Sequence, residues 1–296
     1  MEKIQHTNFK KIGIITKSTI VDHEECLLAL VKFLKKRNKE ILLDSNAELL
    51  VNKKPGYSKA HLLNKADMVI ILGGDGTLLK VARQISRKIV PVVGVNFGTK
   101  GFLTELDRSK MEEGLNKILS GSFEIDKRTL LRVTLYRKGK KLNTHLALND
   151  AVINQGSIAR LINLKVEVDQ RKMITLDADG LILSTPTGST GHSLSAGGPI
   201  IHPRIPGMLL TPICPASLSI RPILIPTSRQ ITIVIQTRRR DERANIGLTI
   251  DGQECIPLQY GDEIKVRKSK RNLYLIRLTN KMYYKTLRQK LNWGNE

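Results

Sequence analysis

The stretch that most constrains the fold is ADMVIILGGDGTLLKVARQI, residues 66–85. Its predicted strand at 67–72, DMVIIL, is apolar on both faces after Asp67, which is typical of a parallel strand covered on both sides. The run stops at Gly73-Gly74-Asp75-Gly76, and Thr77 is predicted to cap a following helix. Three glycines let backbone N–H groups approach an anion in front of the helix start. The alternative is a plain strand-to-helix turn, in which Gly-Asp-Gly is common.

The first part of the chain, residues 1–122, alternates short apolar runs with helical patterns. This alternation predicts an α/β domain with an open parallel sheet. The predicted strands are 11–16, 40–44, 67–72 and 90–95. Helices are predicted over 107–119 and from Asp22, which with Glu25 resembles a capping box.

Helical spacing nearly disappears after residue 123, and short apolar or alternating runs replace it. The predicted strands are 130–136, 161–169, 230–236 and 272–278. Several strands at short spacing predict an all-β, sandwich-like domain. The sequence therefore predicts an α/β domain over 1–122 that carries GGDG, a sandwich-like domain over 123–270, and a segment over 271–296 that packs back on the first domain.

Two polar residues interrupt the apolar run ALNDAVI, residues 147–153. Consecutive strand residues face opposite sides, so either Asn149 or Asp150 would point into the interior. Burying such a group is costly unless it has a partner. A β-bulge or a ligand contact would resolve the conflict. The alternative is an edge strand with both side chains in water.

The most unusual stretch is DADGLILSTPTGSTGHSLSAGGPI, residues 177–200. A predicted strand at 181–183 runs into a loop made almost wholly of Ser, Thr, Gly, Ala and Pro. Such a loop can offer hydroxyl groups and bare backbone to a polyhydroxylated or phosphorylated ligand. The alternative is a flexible linker of small residues.

Two shorter stretches add candidate turns. VGVNFGTKGFLTEL, residues 93–106, places Gly98 and Gly101 around a loop that could wall the same crevice as GGDG. Lys100 in this loop could meet phosphate, or it could be a solvated surface lysine. Residues 251–253, Asp-Gly-Gln, are predicted to form a hairpin turn.

Composition limits the partners of the chain. There are 49 Lys+Arg against 27 Asp+Glu, and the formal net charge of +22 favours polyanionic partners or serves solubility. Aromatic residues make up only 4%, which argues against nucleic-acid binding by base stacking. No signal-peptide pattern and no uncharged apolar run of roughly 18 residues is present, so we expect a cytoplasmic protein with no membrane or nucleic-acid partner. The three cysteines and six histidines lack zinc-ligand spacing.

Taken in order, six motifs make the chain similar to the NAD kinase family. They are GGDGTLL, NFGTKGFLTEL, ALNDAVI, DGLILSTPTGSTGHSLSAGGPIIHP, SLSIRPILIP and DGQ. GGDG alone is shared with lipid kinases and phosphofructokinases, whereas the long Ser/Thr/Gly stretch is specific. The resemblance covers nearly the whole chain. It implies an NAD-binding second domain, and phosphorylation of NAD at the 2′-hydroxyl of its adenosine ribose by ATP or polyphosphate, which gives NADP.

The resemblance also implies site residues. Asp75 would be the base that takes the proton from the ribose hydroxyl, and the phosphates would approach Gly73, Gly74, Gly76 and Thr77. The implied NAD-binding residues are Asp75, Gly76, Asn149, Asp150, Arg160, Asp179, Thr190, Gly191, His192, Ser193, Leu194, Ser195 and Gln253. No metal ligand from the protein is implied, because a divalent cation, Mg²⁺, would arrive with ATP. The implied assembly is a homodimer or homotetramer.

The chain departs from the family pattern at two places. Gly191-His192 stands where Ala-Tyr is frequent, and Asp150 stands where many members have Glu. Two other readings of the sequence stay open. One is a lipid kinase of the diacylglycerol or sphingoid type, which shares GGDGT and which lipid vesicles would activate. The other is a non-catalytic dinucleotide- or nucleic-acid-binding protein, for which a salt-sensitive DNA shift without NADP formation would be diagnostic.

Overall fold

A computed structural model describes residues 9–17, 23–52, 54–98, 101–156, 161–236, 246–278 and 283–294. The strands are β1 (Lys11–Thr16), β2 (Glu40–Leu43), β3 (Met68–Leu72), β4 (Pro91–Asn96), β5 (Leu106–Asp107), β6 (Glu124–Arg137), β7 (Lys140–Ala147), β8 (Asp150–Gln155), β9 (Ile162–Val168), β10 (Arg171–Ala178), β11 (Gly180–Ser184), β12 (Gly207–Ile213), β13 (Ile223–Pro226), β14 (Ile231–Gln236), β15 (Ile246–Ile250), β16 (Glu254–Leu258) and β17 (Glu263–Arg277). The helices are α1 (His23–Lys35), α2 (Ser45–Asn52), α3 (Lys59–Lys65), α4 (Asp75–Ala82), α5 (Met111–Leu119), α6 (His192–Ser195) and α7 (Tyr283–Leu291). Short 3₁₀ turns cover Arg108–Lys110 and Gly188–Thr190.

The chain divides into two compact units, one of Met1–Lys127 with Leu273–Glu296 and one of Arg128–Asn272. The domain boundaries at 122 and 270 remain predictions beside this division. β17 contributes its first residues to the second unit and its last residues to the first.

The first unit is built on a parallel sheet, as the sequence predicts. Its strands lie in the order β4-β3-β1-β2, and every neighbouring pair is parallel. The end of β17 joins the outer side of β4, where Tyr274 pairs with Pro91. All five residues of β3 are buried because side chains from helices cover both faces of a parallel sheet. The carboxyl ends of these strands share one edge of the sheet, and the GGDG turn follows β3 there.

The second unit is an antiparallel sandwich, which confirms the sandwich-like prediction. One layer has six strands in the order β13-β12-β11-β8-β15-β16. The other layer contains β10, β9, β14 and the first residues of β17, also antiparallel. A single hydrophobic core takes residues from both layers, including Ile153, Leu183 and Leu248 from the first and Leu164 and Ile233 from the second.

Several local predictions were wrong. Thr77 does not cap α4, which starts two residues earlier at Asp75 with Gly74 as its N-cap. The helix predicted from 107 starts at Met111, after a 3₁₀ turn. The predicted strand at 272–278 is only the last part of β17. The capping box predicted at Asp22 lies outside the described residues.

The pair Asn149-Asp150 also differs from its prediction. It does not lie within one strand, because β7 ends at Ala147 and β8 begins at Asp150. The edge-strand alternative is wrong, since β8 pairs with β11 on one side and β15 on the other. The polar pair therefore marks a bend between two strands. Within the described ranges, no helix is long and apolar enough to cross a membrane.

Candidate functional site

The turn after β3 brings bare backbone to the start of α4. Gly73 donates its amide hydrogen to Val95 O at 2.9 Å, which ties the turn to β4. A Cβ on Gly73 would lie 2.6 Å from the hydroxyl oxygen of Thr77, so no larger residue fits there without a shift. Gly76 is exposed in the first turn of the helix, whereas Thr77 is buried. The four residues that resemblance assigns to phosphate binding thus form one continuous turn.

The Asp75 carboxylate is held in a defined orientation by the loop that follows β4. Its Oδ2 accepts a hydrogen bond from the Phe102 amide at 2.8 Å, and its Oδ1 accepts one from the Leu103 amide at 3.1 Å. A Cβ on Gly101 would lie only 2.0 Å from Oδ1, so the carboxylate occupies the space that a side chain would take. The second glycine loop therefore lies directly on Asp75. Lys100 of that loop lies outside the described residues.

Arg277, at the end of β17, holds the same loop from its other side. Its guanidinium donates to the three consecutive carbonyl groups of residues 102–104 at 3.0 to 3.4 Å. It also contacts the carboxylates of Glu105 at 3.1 Å and Asp126 at 3.3 Å. Glu105 is only 2% exposed, so removing Arg277 would leave its carboxylate buried with fewer partners, which is costly. The peptide group between Phe102 and Leu103 is thus held on both sides, because its N–H donates to Asp75 and its carbonyl accepts from Arg277.

In the second unit, the bend before β8 is held by a carboxylate from a distant hairpin. Asp251 Oδ1 accepts from the Asn149 amide at 2.7 Å and the Asp150 amide at 3.1 Å, and Oδ2 accepts from the Leu148 amide at 3.0 Å. Asp251 has φ of 50° and the next residue, Gly252, has φ of 64°, so both adopt the left-handed conformation of a tight hairpin turn. The predicted turn at 251–253 is confirmed. Besides connecting two strands, it supplies the carboxylate that binds the amides of the bend.

The carbonyl side of the same bend is bonded to the start of the Ser/Thr/Gly loop. Thr185 donates its hydroxyl to Leu148 O at 2.5 Å and its amide to Asn149 O at 2.8 Å. Gly188 lies directly on the bend, because a Cβ there would be 2.2 Å from Asn149 O. The backbone around Asn149 is therefore clamped on both faces, while the Asn149 side chain stays half-exposed.

The Ser/Thr/Gly loop is ordered by its own hydroxyl groups, so the flexible-linker alternative is wrong. Ser189 donates to Pro186 O at 2.7 Å and accepts from the Ile201 amide at 2.9 Å. Ser193 pairs with Thr211, oxygen to oxygen at 2.8 Å, and is fully buried. Much of the hydroxyl content thus shapes the loop. The groups left on its surface include the exposed side chains of His192 and Ser195.

Asp150 is a buried carboxyl group beside this loop. It is 5% exposed, and its side chain forms no hydrogen bond within the described part of the chain. Burial, and secondly the neighbouring charge of Asp251, raise the pKa of Asp150 to about 7. Two carboxyl groups close together thus differ in environment, since Asp251 accepts three amide hydrogens and Asp150 accepts none in the described residues.

Comparison with known proteins decides the family. Residues 12–123 match the ATP-NAD kinase N-terminal domain, and residues 148–278 match the ATP-NAD kinase C-terminal domain. The chain is 40% identical to the NAD kinase of Syntrophotalea carbinolica over 96% of this chain and 99% of that protein. It is 39% identical to the NAD kinase of Neisseria meningitidis over 97% and 98%.

The chain belongs to the NAD kinase family.

Solved structures agree with this assignment. Yeast NADH kinase, crystallised with NADH, matches with a TM-score of 0.87 at 27% identity over 97% of this chain and 89% of that one. The NAD kinase of Archaeoglobus fulgidus, crystallised with ATP, shares the fold with a TM-score of 0.72 over 95% and 98%. The chain thus shares its fold with both solved structures.

The structure brings together only part of the site that the resemblance implies. Asn149, Asp150 and residues 190–195 lie around the bend of the second unit. Asp179 lies at the far end of β11, because Gly180 pairs with Asn154 whereas Ser184 pairs with Asp150. Five residues of strand separate Asp179 from that end of the sheet by about 17 Å. Arg160 lies outside the described residues.

Sequence reasoning missed three residues that hold the candidate segments in shape within their own units, one in the first unit and two in the second. They are Asp251, Thr185 and Arg277, and each acts through hydrogen bonds to the backbone. An Asp-Gly pair at a turn is a usable signal for Asp251, because left-handed Asp is uncommon outside such turns. Thr185 and Arg277 carry no comparable local signal.

Proposed function

We propose that this NAD kinase uses Asp75 as the base that accepts the proton of the 2′-hydroxyl of the adenosine ribose of NAD, while ATP donates the phosphoryl group. The observation that carries this proposal is the fixed carboxylate of Asp75. It lies at the glycine turn and accepts hydrogen bonds from two backbone amides of the loop that follows β4. A positioned carboxylate is what general-base catalysis requires.

The chemistry needs only one protein group at the reacting atoms. The 2′-oxygen forms a bond to the γ-phosphorus as the bond from that phosphorus to the ADP oxygen breaks, and the hydroxyl proton passes to Asp75. Phosphoryl transfer has a loose transition state, so orientation and charge neutralisation carry most of the rate enhancement. An ionised carboxylate has about four acceptor positions, so two amide bonds leave room for a ribose hydroxyl.

The phosphate groups are proposed to lie over Gly73, Gly74, Gly76 and Thr77. The turn offers bare backbone and the positive end of α4 to an anion. Of these four residues, Thr77 is already engaged, since its amide donates to Gly74 O at 3.0 Å and its hydroxyl lies against Gly73. We therefore expect the glycines to make the closest phosphate contacts.

The divalent cation is proposed to arrive with ATP. The described residues contain no group of three or more His, Cys, Asp or Glu side chains that could hold a metal ion. Mg²⁺ is usually bound through substrate phosphates, waters and few protein ligands. When bound, the cation would neutralise charge on the triphosphate.

The NAD molecule is proposed to contact the residues that the family resemblance assigns. Asn149 and Asp150 would bind the adenosine part, residues 190–195 the nicotinamide and its ribose, and Gln253 would complete the pocket. Arg160 and Asp179 stay predictions of the same kind. Residues 123–270 would then be the NAD-binding domain. We also expect a cytoplasmic homodimer or homotetramer, and light scattering of the purified protein would measure the subunit number.

The test is an NADP-formation assay with ATP and polyphosphate as donors and NAD and NADH as acceptors, in parallel. Asp75→Asn should lower kcat by orders of magnitude while NAD still binds. Asp107→Asn is the matched control, because this aspartate lies on β5 of the same unit and, although it is the N-cap residue of the 3₁₀ turn Arg108–Lys110, its side chain makes no capping hydrogen bond. Near-normal turnover by Asp75→Asn would rule out the base assignment. NADP formation that fails in every arm would refute the proposed function.

Gly101→Ala tests the position of the carboxylate separately from its charge. The added methyl group would meet Asp75 Oδ1 at 2.0 Å, so the carboxylate or the loop must move. We expect a fall in kcat of about tenfold or more, because small misplacements of a reacting group are costly. An unchanged kcat would show that the orientation seen here is unimportant for turnover.

A further inference from the structure

The bend at residues 148–150 has three consecutive amide groups that point to one carboxylate. The distances from Asp251 to the amides of Leu148, Asn149 and Asp150 lie between 2.7 and 3.1 Å. Successive N–H groups that converge in this way form an anion-binding concavity, which here binds a side chain of the same chain. Hydrogen bonds to an ionised acceptor are stronger than those between neutral groups.

The carboxylate that occupies this concavity is itself fixed. Asp251 is 6% exposed, and its amide donates to Asp150 O at 2.9 Å, which continues the pairing of β15 with β8. Its left-handed conformation turns the side chain of the hairpin back toward the bend, and Gly252 follows in the same conformation. The carboxylate therefore has one defined place.

From this arrangement we propose that Asp251 is a positioning residue for NAD: it sets the bend that presents the Asn149 and Asp150 side chains to the ligand. The inference rests on the proposed role of those two residues in NAD binding. Asp251 acts through the backbone, with Thr185 holding the carbonyl side of the same peptides. Asn149 and Asp150 are proposed to touch the ligand themselves, whereas Asp251 is proposed only to fix the backbone that carries them.

Asp251→Asn is the sharpest perturbation. The remaining Oδ1 can still accept two amide hydrogens, but the new NH₂ group would face the third amide, donor against donor. The bend would relax at Leu148 or Asn149. Losing one charge-assisted hydrogen bond and opposing a donor should weaken NAD binding about tenfold or more. The value of kcat at saturating NAD should change far less, because Asp75 lies on a different element.

Asp262→Asn is the matched control for stability. Asp262 is another buried aspartate at a turn of the second unit, between β16 and β17, where it accepts from the Gln259 amide at 2.8 Å and pairs with Arg137 at 2.8 Å. It makes none of the contacts of the bend. Its replacement should lower Tm while leaving the affinity for NAD within about twofold of wild type, since it disturbs no proposed ligand contact.

The experiment measures NAD affinity by calorimetry without ATP, kcat and KM with ATP, and Tm, for wild type and both variants. A rise in Kd and KM for NAD in Asp251→Asn alone supports the inference. Wild-type affinity in Asp251→Asn, or equal weakening in both variants, overturns it. Absence of NADP formation by the wild type refutes the proposed function instead.

If Asp251→Asn does not fold, Thr185→Val replaces it. This change removes the hydroxyl that bonds Leu148 O from the other face of the bend, with almost no change in volume. A rise in Kd for NAD with an unchanged kcat supports the inference. An affinity equal to that of the wild type overturns it.

Discussion

The buried carboxyl group of Asp150 should make the free energy of unfolding depend on pH. Asp150→Asn replaces it with a neutral group of the same shape. Burial, and then the charge of Asp251, raise the pKa of Asp150 to about 7 from the ordinary value of 3.8. The folded protein therefore binds this proton more tightly than the unfolded chain does. The stability that protonated Asp150 contributes to the folded protein is fully present below pH 3.8 and is lost as the pH rises to about 7.

The size of the effect follows from that difference. At 1.36 kcal/mol per pKa unit, an ionised Asp150 costs the folded state on the order of 4 kcal/mol above pH 7. At pH 5 less than half of this cost is present. Asp150→Asn removes the titration but buries an amide that has no hydrogen-bond partner among the described residues, which costs about 1–3 kcal/mol at any pH. The stability of the variant relative to wild type should therefore rise by about 3 kcal/mol between pH 5 and pH 8.5.

Urea unfolding without ligand, followed by circular dichroism at several pH values, measures this difference. Asp169→Asn is a control that should stay flat over this pH range. The Gln230 amide, and then Arg229, hold the pKa of Asp169 below its usual value of 3.8, so its contribution is fully present above pH 3.8 and is lost only as the pH falls below it. A stability difference for Asp150→Asn that is flat from pH 5 to 8.5, or that falls with pH, would refute the idea that this carboxyl group is buried in its neutral form.

Two further predictions concern the shape of the site. Arg277→Lys should lower kcat about tenfold with little change in KM for NAD. The reason is that one ammonium group cannot bond the carbonyls of 102–104 together with two carboxylates. Steady-state kinetics that match the wild type would contradict this. Gly188→Ala should lower the free energy of unfolding by about 1–3 kcal/mol and weaken NAD binding, because its methyl group would lie 2.2 Å from Asn149 O. Gly191→Ala is its control for stability alone: φ there is −103° and the closest contact of a Cβ would be 3.3 Å, so its Tm should fall far less, and an equal fall in Tm in both variants would contradict the argument.

The sequence allowed the parallel sheet and the position of the glycine turn to be predicted because both depend on local patterns. The unbroken apolar run at 68–72 ends where β3 ends, and the glycines follow at the carboxyl edge of the sheet. The start of α4 was missed by three residues, because a cap at Thr77 would start the helix at Leu78 whereas it starts at Asp75. Asp75 is in the first helical turn while its side chain bonds to a loop that lies 27 residues further along the chain. A local capping signal cannot show such a contact.

The bend at Asn149 was harder to predict because its partner is remote. Within residues 147–153, two polar residues in an apolar run are equally compatible with a bulge, an edge strand or a ligand contact. Asp251, which decides between them, lies 101 to 103 residues away in the sequence. The course of β17 was missed for a related reason. Its charged middle, KSKRN, breaks the alternation of apolar residues, although the backbone continues as one strand from Glu263 to Arg277.

The discontinuous make-up of the first unit has a consequence for biosynthesis. The ribosome releases residues 1–127 first, but the strand that pairs with the outer side of β4 consists of residues near 274, and the guanidinium that holds the loop against Asp75 belongs to Arg277. The second unit, residues 128–272, is continuous and is synthesised before them. Since domains generally fold as they emerge, the part of the chain made first would be the part completed last. A nascent chain shorter than about 277 residues would carry the GGDG turn without the arginine that fixes its surroundings.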